Sequence, residues 1–277
     1  MKQIAFLLLV LFASTISLAQ KKDKIKGSKI ITHTIKEVEN FQNIEIEDNV
    51  EIYLVKADTP SIEIEADDNL HDVVNFSVTG NTLRITTLKT VSSAKKFDLR
   101  INYATTLKLI TVKNEAKLHA LNALQLDSIT IKNFDNSASY LNVNSNSFTL
   151  ILNDKSEAEI NVKSQNTTLE LSKNAELKAL IASPEVKIDL YEKAEAKIEG
   201  DATNAKIRLD NNAILTANKF SVASIDLTVE NYAKCEVNAV NDIAISASGK
   251  TQIELFGEPK IEMRKFTNST TLYKKEK

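Results

Sequence analysis

From about residue 105 onward the chain places apolar residues at every second position, in short runs that break at small polar clusters. Val186, Ile188 and Leu190 precede one break, and Ala194, Ala196 and Ile198 follow it. Ala205, Ile207 and Leu209 lead in the same way into Ala213, Leu215 and Ala217, and Ile225, Leu227 and Val229 into Ala233, Cys235 and Val237. A period of two sends alternate side chains to opposite faces of a strand, whereas a helix needs spacings of three and four. LYEKAEAKIEG (190–200) tests this, because its Ala, Glu and Lys are good helix formers. Its layout recurs in LSKNAELKALI (171–181), LDNNAILTANK (209–219) and VENYAKCEVNA (229–239), which lack that composition. A layout that survives a change of propensity predicts strands.

The breaks themselves repeat. Aligning on the small residue after each polar cluster gives Ala116, Ser137, Ser156, Ala175, Ala194, Ala213, Ala233, Thr251 and Thr270, at intervals of 21, 19, 19, 19, 19, 20, 18 and 19. Each unit then holds two short strands joined by a polar corner such as Tyr191-Glu192-Lys193, Asp210-Asn211-Asn212 or Ser248-Gly249-Lys250. Asn, Asp, Gly and Ser suit such bends because they tolerate left-handed backbone angles or bond their own turn. Identical units in succession favour a wound chain in which each coil pairs in parallel with the next and like side chains stack in columns. The expected fold is all-β, a right-handed parallel β-helix (β-solenoid) with about 19 residues per coil. About ten to twelve coils at ~4.8 Å each would make a rod of about 50–60 Å. Its ends would be open strand edges that need capping or partners.

Residues 29–105 alternate less regularly and are expected to form the N-terminal cap and first irregular coils, one continuous domain with the regular coils of 106–277. Thr79-Gly80-Asn81-Thr82 reads as a turn and Asp67 to His71 as a short helical corner. Residues 1–19 combine an early Lys, an apolar run from Ile4 to Ala13 and a small-x-small ending at Ala19, the pattern of a secretory signal peptide. Residues 20–28, QKKDKIKGS, are expected to be a disordered leader.

Composition narrows the function classes. Hydrophobic residues make up 43% and charged residues 26%, which is globular, and 35 basic against 37 acidic residues leave no field to hold a nucleic acid. The only Cys, Cys235, is far from the predicted cleavage site, so N-terminal lipidation and internal disulfides are both excluded. No second hydrophobic stretch follows the signal, so no transmembrane span is expected after cleavage.

Three stretches carry a family resemblance: FQNIEIEDNVEIYLVKADTPSIEIEADDNL (41–70), VTGNTLRI (78–85) and SGKTQIELFGEPKI (248–261). With the repeated coils they resemble the putative auto-transporter adhesin head GIN domain family of exported Bacteroidetes-type proteins. Gly257-Glu258-Pro259 matches the family's closing Gly-x-Pro element, and Ser248-Gly249 keeps one corner in its Gly-Ser-Gly style. The other corners carry Asn, Lys, Glu and Asp instead. The resemblance implies a β-helical protein of the periplasm or cell surface with an adhesive role.

Candidate chemistry is sparse. The corner carboxylates Asp154, Glu192, Asp210 and Glu230 lie in neighbouring coils but are interleaved with Lys173 and Asn211 and hold no single column. No HExxH, GxSxG, CxxC, phosphate loop or Ca²⁺-binding nonapeptide occurs, so no catalytic, cofactor or metal residue is assigned. His119 falls between Leu118 and Ala120 and reads as a surface residue. Cys235 shares an inward column with Leu118, Ala158, Leu177, Ala196, Leu215 and Ile253 and reads as a small buried hydrophobe. Asn142 to Ser147 reads as a solvated corner. Tyr140, Tyr191 and Tyr232 face outward and are the candidate ligand face. The expected function is a non-enzymatic exported adhesin head or envelope scaffold that binds a polysaccharide or protein. The alternatives are a polysaccharide-active enzyme using Asp154, Asp210 and Glu230, and a self-assembling structural protein joined end to end through Phe256, Phe266 and Tyr273.

Overall fold

The computed structural model describes residues 22–276, and the predicted signal peptide lies outside them. The alternating segments are strands. The N-terminal third contains β1 (Lys24–Lys26), β2 (Ile31–Glu37), β3 (Asn43–Ile46), β4 (Glu51–Lys56), β5 (Ser61–Asp67), β6 (Val74–Thr79), β7 (Thr82–Thr87), β8 (Thr90–Ser92) and β9 (Phe97–Tyr103). The regular part begins with β10 (Leu109–Val112), β11 (Lys117–Asn133), β12 (Ala138–Leu152) and β13 (Glu157–Leu171). It continues through β14 (Glu176–Ala182), β15 (Glu185–Leu190), β16 (Glu195–Leu209), β17 (Ile214–Asn231) and β18 (Lys234–Gly249), and ends in β19 (Gln252–Phe256), β20 (Lys260–Phe266) and β21 (Thr271–Lys274).

All pairing from β10 onward is parallel. Ala138 lies beside Glu157, Glu157 beside Glu176, Glu176 beside Glu195 and Glu195 beside Ile214, each a step of 19 residues. The fold is a β-solenoid of about 9 turns. Constant register turns alternation into columns: Ile110, Ile131, Leu150, Leu169, Ile188, Ile207, Leu227 and Ile245 stack one above another, all buried. Each such side chain contributes roughly 1.5–3 kcal/mol by leaving water. Cys235 stands between Leu215 and Ile253 in its expected column.

Every coil is closed by the same turn. Asn114, Asp135, Asp154, Lys173, Glu192, Asn211 and Asn231 all have φ between 59° and 65°, and each stands two residues before the small residue of the alignment. That small residue is fully buried at Ala116, Ser137, Ser156, Ala175, Ala194, Ala213 and Ala233. The left-handed position costs a side-chain-bearing residue roughly 1–2 kcal/mol, yet it is held by Lys173 and Glu192. The turns hydrogen-bond to one another: the N–H groups of Asn174, Lys193 and Asn212 donate to the carbonyls of Asp154, Lys173 and Glu192 at 2.7–2.8 Å. A stacked ladder can impose a backbone angle that local propensity disfavours.

The opposite corner is softer, and β11, β12, β13, β16, β17 and β18 run through it without a break in strand structure. Between β14 and β15 the strand stops at Ser183-Pro184, where proline has no N–H to give the ladder. At Gly200, a β-carbon would stand 2.0 Å from the Ile181 carbonyl oxygen, so only glycine lets the coils approach there. Two extra residues in Leu121-Asn122-Ala123 shift the β11–β12 register and account for the interval of 21.

The N-terminal end is not wound in chain order. β3 lies between β7 and β10, and β4 between β9 and β11, so the first coil in sequence is the second in space. β5 and β6 close this end by antiparallel pairing with β9 and β7, and β2 pairs antiparallel with β5. Spending these strands on a cap is why there are about 9 turns rather than ten to twelve. The 3-10 segment Asp68–Val73 and the β6–β7 turn fall where the sequence places them.

Of the expected disordered leader, residues 22–28 are described, and within them Lys24–Lys26 forms β1, which pairs in parallel with β8. Asn69 holds the Ser28 N–H and the Lys26 carbonyl, and Asp67, fully buried, anchors the chain immediately after. Its carboxylate accepts the backbone N–H groups of Lys29, Lys95 and Lys96 at 2.9–3.1 Å, tying Lys29 to the β8–β9 connection. Burial alone would raise its pKa, but these three N–H groups outweigh that and hold it below the ordinary 3.8.

At the other end β20 pairs only with β18 and β21 only with β19, leaving Ile261, Met263, Phe266 and Tyr273 exposed. A register shift between Met263 and Lys265, together with Lys260, Lys265 and Lys274, gives this edge the bulge and the charges that discourage strand addition.

Two outcomes follow. Deleting Ala175–Lys193 joins equivalent positions and should leave a shorter protein with strand circular dichroism and one cooperative melt, whereas deleting Ala175–Pro184 alone should unfold it. Because the folded-state pKa of Asp67 is lowered, its stabilisation is complete above the ordinary Asp value and disappears as pH falls through the folded value. Asp67→Asn should therefore be less stable than the parent at neutral pH, with the gap narrowing below about pH 4 in urea titrations.

Candidate binding faces

The strand segments that follow each turn form one flat outer face. On it, Tyr53 of β4, His119 of β11 and Tyr140 of β12 occupy one column in adjacent coils. Their rings stack: Tyr53 to His119 at 4.8 Å and 17°, His119 to Tyr140 at 5.0 Å and 14°. The Tyr53 hydroxyl donates to Glu51 Oε1 at 2.9 Å, and the Tyr140 hydroxyl to Glu157 Oε1 at 3.2 Å. His119 Nε2 stands 2.9 Å from Glu51 Oε1, at ion-pair distance but not aligned for a hydrogen bond. Burial, then the Glu51 hydrogen bond, pushes the Tyr53 phenol up to about 12. Burial and Glu157 raise Tyr140 as well, so both phenols stay protonated donors at neutral pH.

Beyond Tyr140 the column becomes Glu159, Lys178, Lys197 and Thr216. Tyr140 thus ends the aromatic run and begins a charged one. A groove of about 270 Å³ lies on one side of it, walled by Glu157, Glu176 and Glu195. On the other side a groove of about 530 Å³ is walled by Asn142, Asn161 and two exposed leucines, Leu121 and Leu180.

The other two predicted tyrosines sit elsewhere. Tyr191 begins a turn, where the Arg208 guanidinium lies 5.9 Å from its ring, and Tyr232 is exposed at a turn two coils further on. The structure therefore separates the three, with Tyr140 alone on the flat face. Three of the four corner carboxylates, all but Glu192, are taken up by a neighbouring coil. Asp154 pairs with Lys173, which lowers its pKa; Asp210 accepts the Asn231 side-chain amide; and Glu230 accepts Arg208 Nη2 at 3.1 Å. They do not converge.

His119 is not the isolated surface residue the alternation suggests. It stands three residues after Ala116, as Tyr140 stands three after Ser137, so the alignment itself holds the signal for that pair. Tyr53 stands at the same offset, three residues after the buried Val50, in a coil that precedes the aligned repeat. Burial pushes the Cys235 thiol up to about 12, leaving it protonated at neutral pH. Among the described residues no cluster of His, Cys, Asp and Glu could hold a metal ion, and no helix is long and apolar enough to cross a membrane.

Fold and surface together define a β-solenoid whose distinguishing features are shallow outer grooves. The profile of the family described as "putative auto-transporter adhesin, head GIN domain" matches residues 40–259, and the chain belongs to that family. A putative adhesin from Parabacteroides distasonis has a similar structure, with 20% identity and a TM-score of 0.68, covering 91% of this chain and 100% of that one. A putative adhesin from Parabacteroides merdae (18% identity, TM-score 0.62) and a putative lipid binding protein from P. distasonis (14%, TM-score 0.64) each cover 91% of this chain and 99% of their own. At these identities the likeness is one of fold. A search of curated proteins returned no match.

His119→Ala removes two ring contacts, each worth about 0.5–1.5 kcal/mol. It should lower the urea midpoint by an amount equivalent to about 1–2 kcal/mol, while His119→Phe should recover most of the loss.

Proposed function

We propose that this chain is the binding head of an exported adhesin. It works without catalysis, presenting its flat outer face to a polysaccharide or protein of the cell surface or its surroundings. The observation that carries this reading is the Tyr140 column with grooves of about 270 and 530 Å³ on its two sides. One aromatic ring, the amides of Asn142 and Asn161, and alternating Glu and Lys offer stacking, donors and acceptors along several coils. Ligand sites commonly pair apolar surface with a few placed polar groups, and the aromatic ladder holds Tyr140 in position before any ligand arrives, which lowers the cost of binding. Family membership and the adhesin-like fold support the same reading. Asp154, Asp210 and Glu230 are each engaged by a side chain of an adjoining coil, an arrangement that favours binding over hydrolysis or elimination.

The test is a screen of surface polysaccharides and envelope proteins against the parent, Tyr140→Ala and Tyr191→Ala. Tyr140→Ala should lose about tenfold or more in affinity, roughly 1.4 kcal/mol, and Tyr191→Ala should change it little. Release of sugars from any polysaccharide, or equal binding by all three proteins, would count against this assignment.

A further inference from the structure

The soft corner carries a third groove, of about 730 Å³, on a different edge from Tyr140. One rim is the column Gln125, Asn144, Lys163, Ala182 and Asp201, and the other is Asp127, Asn146, Gln165, Pro184 and Thr203, all exposed. Between the rims stands the column Leu126, Ser145, Ser164 and Ser183, all buried. The groove therefore crosses five coils, with one residue of each rim per coil. At ~4.8 Å per coil it runs about 19 Å along the rod.

We propose that this groove is a track for a neutral, hydroxyl-rich polysaccharide lying parallel to the rod axis. The proposal rests on the reading of the chain as a binding head and adds a site and a ligand class to it. Four features select the ligand. Amides dominate the rims at Gln125, Asn144, Asn146 and Gln165, and each can donate and accept, as sugar hydroxyls do. One lysine against two aspartates across five coils gives no field to attract a polyanion or polycation, and Asn146 already donates to Asp127. Ala182 and Pro184 interrupt the polar rims with apolar surface suited to the C–H faces of a pyranose. The coil spacing is close to the advance of one pyranose unit in an extended chain, so successive units can meet successive coils in similar geometry.

A peptide strand lying along the groove is disfavoured, because strand addition needs an unpaired edge, and the backbone at Asn144, Ser145 and Lys163 in the middle of the groove is paired on both sides, leaving a free edge only at its Gln125–Asp127 end. The column between the rims adds an independent sign. Ser164 bonds to Thr167 at 2.6 Å and to Ser183 at 3.3 Å, but the Oγ of Ser145, a residue only 8% exposed, has no partner. Folded proteins seldom leave a buried hydroxyl unmatched, and this one lies beneath the two most amide-rich positions of the track.

The test is titration calorimetry of the full mature chain with neutral gluco-, manno- and galacto-oligosaccharides from dimer to octamer. Three proteins are compared: the parent, the double variant Asn146→Ala/Gln165→Ala, and Tyr140→Ala. Both rim residues are exposed, and an unchanged melt establishes that the double variant folds. Affinity should climb with length and level off near five units, and the double variant should lose about tenfold or more on the longer chains. Length-independent binding, or binding that survives the double variant and fails in Tyr140→Ala, overturns the track while leaving the flat-face reading intact. Binding of proteins but of no oligosaccharide also overturns the track alone. Failure of both oligosaccharides and envelope proteins to bind removes the binding-head reading with it.

Discussion

The structure depends on one constraint: each coil must return to the same register above the one before it. Parallel pairing satisfies the backbone of the interior coils only if the turn ends where the previous turn ended, and the ladder of N–H to carbonyl bonds between turns makes that position self-propagating. Column packing, outward charge alternation and the two sets of grooves are all consequences of that return. A one-residue error would send Ile188 outward and Lys187 inward, which is why departures from 19 are absorbed locally, at Leu121-Asn122-Ala123 and in the β16–β17 and β17–β18 pairings.

Register by whole coils needs a different safeguard, because columns of Ile and Leu look alike one coil up or down. Non-repeating contacts supply it. Asn133, fully buried in an otherwise apolar column, donates to Ser137 at 3.1 Å and accepts from Ser139 at 2.9 Å, while Ser137 reaches the Val112 carbonyl at 3.1 Å. Those side-chain bonds lie within one turn and mark this coil as unlike its neighbours. Gly200 acts through shape, since only a glycine can lie that close to the Ile181 carbonyl.

What could be read from the sequence follows the same division. Alternation and interval gave the solenoid, its coil length, the buried small residue and the inward column of Cys235, because each depends on residues a fixed distance apart. The N-terminal end was legible as strands but not as topology: placing β7 and β9 outside β3 and β4 depends on long-range pairing that leaves no period. The order of the leader rests on contacts far along the chain: β1 on β8, and Asn69, which accepts the Ser28 N–H and donates to the Lys26 carbonyl across 41 and 43 residues. The aromatic column was half legible. His119 and Tyr140 share an offset from their small residues and Tyr53 has the same offset from Val50, but Tyr53 joins them only through the out-of-order winding.

The grooves beside Tyr140 and the groove at the soft corner face different ways because the flat face and the two corners obey different rules. At the tight corner the left-handed residue and its stacked turn leave side chains projecting into solvent, where Lys, Glu, Asn and Asp pair across coils. At the soft corner the strand bends continuously, so one inward residue is flanked closely by two outward ones, and repetition draws that profile out into a trough. A trough made this way has a direction, the rod axis, and a step, the coil spacing. It suits ligands that are themselves linear repeats, because each added unit gains a similar contact without a new site having to be built. Adding or removing a coil would lengthen or shorten the trough while leaving its chemistry unchanged, so in this fold the length of such a trough is set by the count of coils and its chemistry by the rim residues.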